Sequence, residues 1–286
     1  MPSNWTLNRI KWSLRKAMLP IRPDYITLDV GSGANPHPCA DVLLDKFVNT
    51  SHRHGVQLTI DRPFVLGDAC KMPFKDKAFD FVIAFHVLEH MQDPAAFLKE
   101  LQRVSKRGYI ETPNALFERL IPYDVHCLEV MKINGRLIIR KKESARPDTF
   151  LYSLKVLDNL GNWRKFFYSN PDFFHTRYNW EGTIDFEVVN PQTDCSWINK
   201  VDKAPESNVP GLAEVPDSSF NLRSMGLRLM RRYYAMRPKK LDLDSLLACP
   251  DCHSPLLKER DFFVCATCQM KFRAVPVPDF NEKFPV

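Results

Sequence analysis

Short apolar runs recur through the first 113 residues, each closed by a turn residue or an acid. Tyr25–Val30, Asp41–Asp45, Phe64–Asp68, Phe79–Phe85 and Gly108–Pro113 each predict a strand. The fourth, Phe79-Asp-Phe-Val-Ile-Ala-Phe85, is apolar enough to be covered on both faces, as a parallel strand must be. Asp93-Pro94 predicts a helix start, with Asp as N-cap and Pro in the first turn; Phe97, Leu98, Leu101 and Val104 then share one face. Short strands alternating with helical or turn segments predict an α/β fold, a mostly parallel sheet with helices on both faces.

After Pro113 the pattern changes. Cys127–Ile133 and Arg136–Lys141 flank Asn134-Gly135, a strong hairpin signal. A helix is predicted over 148–160, and a second hairpin around Glu181-Gly182, from Phe173–Trp180 to Thr183–Val189. Residues 191–218, rich in Pro, Asp, Ser and Asn, read as a linker. Residues 220–240 are helical in pattern and basic. Leu222, Met225, Leu229 and Tyr233 form a stripe that docks on a domain and leaves the arginines in solvent. A helix over 5–19, with Trp5, Ile10, Trp12, Leu14 and Leu19 among cations, packs on the domain edge. The organisation expected is a main domain over 1–200, a linker and basic helix over 201–244, and a cysteine module over 245–286.

Composition narrows this little. The 286 residues suffice for one α/β domain and something small, and the net charge of +6 permits an anionic partner without requiring one. No apolar stretch has the length of a membrane span. The N-terminal segment has cations but no continuous apolar core, unlike a secretory signal. Four of the eight cysteines fall into two CxxC pairs and the others are scattered, which predicts a reducing, cytoplasmic setting.

The chemistry begins at Leu28-Asp-Val-Gly-Ser-Gly33. A phosphate loop would need a lysine that is absent. A dinucleotide fingerprint would need a third glycine and a full helix, but Ala34-Asn35-Pro36 stands there and a second proline follows. A smaller, net-cationic ligand fits better. Asp29 can hold an ammonium, Gly31 and Gly33 let the backbone approach, and Asp45 at the next strand end can accept both hydroxyls of a ribose. Asp68-Ala69 at the third strand end can take an adenine amino group.

In order, LDVGSGANP, VLLD, GDACKMPFKDKAFDFVIAFHVLEHMQDP and GYIETPN resemble a class I S-adenosylmethionine-dependent methyltransferase of the type 11 group. The resemblance covers roughly residues 25 to 114. It implies a Rossmann-like seven-stranded sheet whose last strand is antiparallel, with the 173–189 hairpin supplying strands six and seven. It implies that Asp29, Gly31, Ser32 and Gly33 line the methionine tail, Asp45 the ribose, and Asp68 and Ala69 the adenine. Phe85 and His86 lie beside the methyl group.

The cofactor is already activated, so the protein positions the acceptor and removes a proton where one must leave. His86, Glu89, His90, His126 and His175 are the candidates for a base. His90 and His86 are preferred, against the reading in which Glu89-His90 structures the turn before the next helix. Amino methylation of bases uses an Asn/Asp-Pro-Pro-Tyr/Phe segment after the fourth strand, which FHVLEH is not. Cytosine C5 methylation needs a cysteine nucleophile after a proline, and no Pro-Cys pair follows that strand.

At the other end, Cys249-Pro-Asp-Cys252 and Cys265-Ala-Thr-Cys268 form two knuckles. Their four thiolates make the closed set that a structural zinc prefers. CPDCHSPL, FFVCATCQMKF and VPVPDF resemble the small zinc-ribbon activator subunit of RNA and protein methyltransferases. The function expected is therefore S-adenosylmethionine-dependent methylation of a small-molecule, lipid or envelope-glycan acceptor. The alternatives are an RNA or translation-protein acceptor, which the ribbon and basic helix would suit, and a non-catalytic cofactor-binding module.

Overall fold

The computed structural model describes residues 15–16, 18–48, 56–145, 166–167, 170–201, 229–234, 236 and 241–286. The helices expected over 5–19 and 148–160 fall almost wholly outside them, as does most of the 191–218 linker.

Five parallel strands run in the order β3-β2-β1-β4-β5: β1 (Thr27–Val30), β2 (Val42–Asp45), β3 (Phe64–Leu66), β4 (Phe81–Phe85) and β5 (Arg107–Pro113). All are buried along almost their whole length, as their apolar runs require. Helix α1 (Pro94–Val104) joins β4 to β5, and the predicted cap is present: Asp93 Oδ1 accepts from the Ala96 amide at 2.9 Å. Phe97, Leu98, Leu101 and Val104 are wholly buried, each contributing about 1.5–3 kcal/mol.

The opposite face has a different cover. Phe81, Ile83 and Tyr109 pack with Ile21 and Tyr25, and against them lie Met230 and Tyr234 from the helical residues 229–234. The basic helix thus docks as expected but through another face, because Leu229 and Tyr233 are 58% and 57% exposed. Arg231 pairs with Asp61, and the Tyr234 hydroxyl donates to Ile21 O.

The expected 173–189 hairpin does not form. Its first half, β8 (His175–Glu181), pairs antiparallel with β5 along all seven residues. Its second half, β9 (Phe186–Val188), joins the hairpin of β6 (Leu128–Ile133) and β7 (Arg136–Lys141) in a separate three-stranded sheet. Glu181–Gly182 is a turn between two sheets, so the main domain contributes six strands to its sheet rather than seven. The β6–β7 turn is as predicted, with Asn134 and Gly135 both at positive φ. The start of the expected linker also belongs to the fold: Cys195 and Ile198 are buried, and Trp197 Nε1 donates to Lys142 O at 3.1 Å.

The cysteine module continues the main sheet. Strands β10 (Leu257–Glu259), β11 (Phe262–Cys265), β12 (Met270–Arg273) and β13 (Asp279–Pro285) are antiparallel neighbours, and β13 meets β3 through Asp279 and Leu66. The result is one ten-stranded sheet. Phe263, Phe272 and Phe280 belong to the same apolar cluster as Leu28, Val30 and Val65. Among the described residues no helix is long and apolar enough to cross a membrane.

Candidate active site

The carboxyl ends of β1, β2 and β3 lie side by side and bring Asp29, Asp45 and Asp68 to one edge. Between them runs the Gly31–Gly33 turn, with φ of +65° and +54° at its glycines. A Cβ at Gly31 would stand 2.5 Å from Val87 Cγ2, so only glycine fits there. Asp29 Oδ2 accepts from the His37 amide at 2.7 Å. Asp45 accepts from the Gly33 amide through Oδ2 at 3.0 Å and from the Phe47 amide through Oδ1 at 3.1 Å. Each carboxylate is fixed by backbone donors. The Ser32 hydroxyl is buried with no partner in the structure, a polar group that waits for one. These are features that a ligand with an ammonium and a ribose fits.

Burial lifts Asp29 to about 6, against the lowering effect of the His37 amide, Lys16 and Arg62. Asp68 is more open. Burial would raise it, but Lys46 at 2.8 Å and the Cys70 amide outweigh that and lower its pKa. Ala69 follows it, partly buried.

His86 leaves the end of β4 at a positive φ of 55°. Its Nδ1 is 3.3 Å from Glu89 Oε1 and its Nε2 is 3.7 Å from Glu111 Oε1. Burial works against the charged ring, yet Glu89 and Glu111 raise its pKa. Phe85, beside it, carries the Lys16 ammonium over its ring at 4.8 Å and stacks on His37. Arg15 lies on Glu111 with hydrogen bonds of 2.9–3.0 Å, and Tyr109 donates to the same carboxylate. The turn at 15–16 therefore covers the ends of β4 and β5. Glu111 escaped the sequence reading, although an acid inside an otherwise apolar central strand was a signal for it.

His90 is a poorer base than the sequence suggested. Burial and the neighbouring His126 hold it down to about 4, and its Nδ1 is tied to Val125 O at 2.8 Å. His175 also falls to about 4, through burial first, and packs edge-on against His86. His126 is drawn beside His90 and its Nδ1 lies 2.5 Å from Glu118 Oε1. The chain does hold one Pro-Cys pair, Pro38-Cys39, but it follows β1. The Cys39 thiol is buried against Ile21 and Tyr25 and serves packing.

In the cysteine module Cys249 and Cys268 sulfurs are 3.9 Å apart and Cys252 and Cys265 sulfurs 3.5 Å apart. A tetrahedral zinc with bonds of about 2.3 Å separates its sulfurs by about 3.8 Å. The Cys268 amide points at Cys265 Sγ, the donor that a coordinated thiolate receives.

The strand order and the antiparallel neighbour beyond β5 make a Rossmann-like sheet with acids at three successive strand ends. Residues 42–110 match the family described as a methyltransferase domain. Ajmaline N-methyltransferase of Rauvolfia serpentina is 47% identical over 45 residues, which are 16% of this chain and 16% of that protein. Demethylmenaquinone methyltransferase of Renibacterium salmoninarum is 28% identical over 157 residues, covering 49% of this chain and 65% of that protein. The chain thus spans less than two thirds of these relatives' lengths. Among solved structures, the YcgJ protein of Bacillus subtilis matches with a TM-score of 0.31 at 23% identity, over 39% of this chain and 56% of that one.

Proposed function

We propose that the chain is an S-adenosylmethionine-dependent methyltransferase for a small organic acceptor, with a zinc ribbon built onto its sheet. The observation that carries this is the convergence of Asp29, the Gly31–Gly33 turn, Asp45 and Asp68 on one edge of three neighbouring parallel strands. When bound, the cofactor supplies a methyl group already activated by a sulfonium. Asp29 holds its ammonium, and Ser32 and the glycine turn meet its amino-acid tail. Asp45 accepts from the ribose hydroxyls, and Asp68 and Ala69 face the adenine. Phe85 and His86 stand where the acceptor arrives, and the 15–16 turn keeps water from that end of the cleft. The two named relatives are an ajmaline N-methyltransferase and a demethylmenaquinone methyltransferase, which supports an organic small molecule as acceptor. In this reading residues 1–200 are catalytic, 201–244 connect, and 245–286 are the ribbon, with zinc on Cys249, Cys252, Cys265 and Cys268.

Calorimetry with S-adenosylmethionine tests the reading. Asp45→Ala should weaken binding about 10- to 100-fold, the loss of charge-assisted hydrogen bonds to a diol. A wild-type protein that binds no cofactor would refute it.

A further inference from the structure

We propose that Glu89, His90 and His126 form a second metal site, taking a first-row divalent cation on the side of the sheet away from the ribbon. Glu89 and His90 sit on the single turn Leu88–His90 that follows β4. His126 comes from the loop before β6, which the Cys127 amide pins to that turn by donating to Glu89 O at 2.8 Å. One ligand atom from each of the three lies within 4.8 Å of the others. Ligands on bonds of about 2.1 Å stand at most about 4.2 Å apart, so the set needs only a small closure.

The hydrogen bonds around the cluster argue for a cation inside it. His90 Nδ1 faces Val125 O at 2.8 Å and His126 Nδ1 faces Glu118 Oε1 at 2.5 Å. Both partners are acceptors, so in the neutral rings Nδ1 carries the proton and Nε2 keeps a lone pair. The Glu89 side chain is fully buried. Its Oε2 accepts from Thr112 at 2.9 Å, while Oε1 makes no hydrogen bond and has only the His86 ring at 3.3 Å. Two imidazoles and a buried carboxylate thus gather, with the His86 ring, 3.3 Å from Oε1, as the neighbouring donor to that oxygen.

The outer groups are those that orient ligating histidines. Glu118 holds His126 and is itself held by Lys142 Nζ at 2.6 Å. A carboxylate or carbonyl behind each imidazole fixes its tautomer and ring plane. Two imidazoles with one carboxylate suit Zn²⁺, Mn²⁺ or Co²⁺ better than Mg²⁺ or Ca²⁺. Three protein ligands leave positions open for water or an oxygen of an acceptor. His90 is only partly buried, so an ion can reach the site.

The test uses the full chain with one zinc per molecule already in the ribbon. It is dialysed in turn against Co²⁺, Mn²⁺ and excess Zn²⁺, and every metal is counted per chain. A second ion is expected with at least one of the three. Glu89→Gln and His126→Ala should lose it and keep the ribbon's metal. Glu118→Gln, a change at a positioning residue, should weaken it about 10- to 100-fold. No second ion with any of the three metals overturns the proposal, and so does a second ion that both ligand variants retain. Should the variants fail to fold, wild-type protein loaded with Co²⁺ decides. Paramagnetic shifts on the His90 and His126 ring protons are expected, and a bound second ion without them refutes the site.

Discussion

On the side of β1 that carries β2, β3 and the ribbon, the polar groups at the strand ends lean on backbone. Asp29 takes the His37 amide, Asp45 takes the Gly33 and Phe47 amides, and Asp68 takes the Cys70 amide. On the side of β4, β5 and the three-stranded sheet, side chains lean on one another: Arg15 on Glu111, Thr112 on Glu89, His126 on Glu118, Glu118 on Lys142. The first arrangement is fixed once the strands and one turn form. The second exists only when residues 8 to 96 positions apart have met. A ligand common to many proteins suits the backbone-built side, and a particular acceptor suits the side whose chemistry can be altered one side chain at a time.

The sharpest way to break this contrast is to remove the metal proposed for the ribbon. The ribbon's strands hang on two CxxC knuckles and meet the cofactor side through the shared apolar cluster of Phe263, Phe272 and Phe280 and through a few polar links. Asp279 pairs with Leu66, Asn281 Nδ2 donates to Lys46 O, and the Ala248 amide donates to Pro73 O. A four-thiolate zinc supplies folding energy on the order of 10 kcal/mol. Chelation, or Cys265→Ser, should therefore release β10–β13, read as loss of amide-exchange protection over 245–286. Cofactor affinity should fall with it, because Asn281 holds the carbonyl of Lys46, whose ammonium pairs with Asp68. Protection at Glu89 and Cys127 should survive. Equal loss on both sides would erase the distinction between them.

A smaller effect is expected from Lys142→Met. Glu118 is wholly buried and Lys142 nearly so, and removing the ammonium leaves the buried carboxylate with only the His126 ring beside it. With the His126 ring still on Glu118, the cost should be about 1–3 kcal/mol in denaturant unfolding, with calorimetric cofactor affinity unchanged. Loss of cofactor binding in the folded variant would show that the two sides are coupled.

The same contrast explains what could be read in advance. Asp93-Pro94 and Asn134-Gly135 announce their own cap and turn because those signals are local. Asp29, Asp45 and Asp68 were legible because each follows its own apolar run, and parallel neighbours place run-ends on one edge. The pairing of β8 with β5, and of β9 with β7, was not legible: both halves alternate as a hairpin would, and the choice lies with partners 50 to 70 residues away. The docking face of the basic helix was missed because Met230 and Tyr234 answer to Phe81 and Tyr109, not to the periodicity of their own helix. Cys249 to Cys268 could be read as a ligand set from spacing alone, whereas His126 is set beside Glu89 only by the fold.

The mildest test is one of pH, and it falls on Asp29. Burial holds this carboxyl near 6 in the folded protein, above its ordinary 3.8. A protonated Asp29 cannot hold an ammonium, so cofactor affinity should rise about tenfold between pH 5 and pH 7, as the ionised fraction climbs through that value. The free protein should show the opposite sign. Between about pH 4 and 6 the folded state binds the Asp29 proton more tightly than the unfolded chain does, so this group removes stability as pH rises. The loss is complete above 6 and amounts to up to about 3 kcal/mol. Asp29→Asn should thus flatten the affinity profile, weaken the cofactor, and leave the empty protein more stable at pH 7 than the wild type. Calorimetry across pH, paired with unfolding in the absence of cofactor, reads both signs. If affinity keeps its slope in the variant, the ammonium is held elsewhere. If the variant gains no stability, the buried carboxylate is already compensated by His37, Lys16 and Arg62, and the backbone-built side carries less strain than its burial implies.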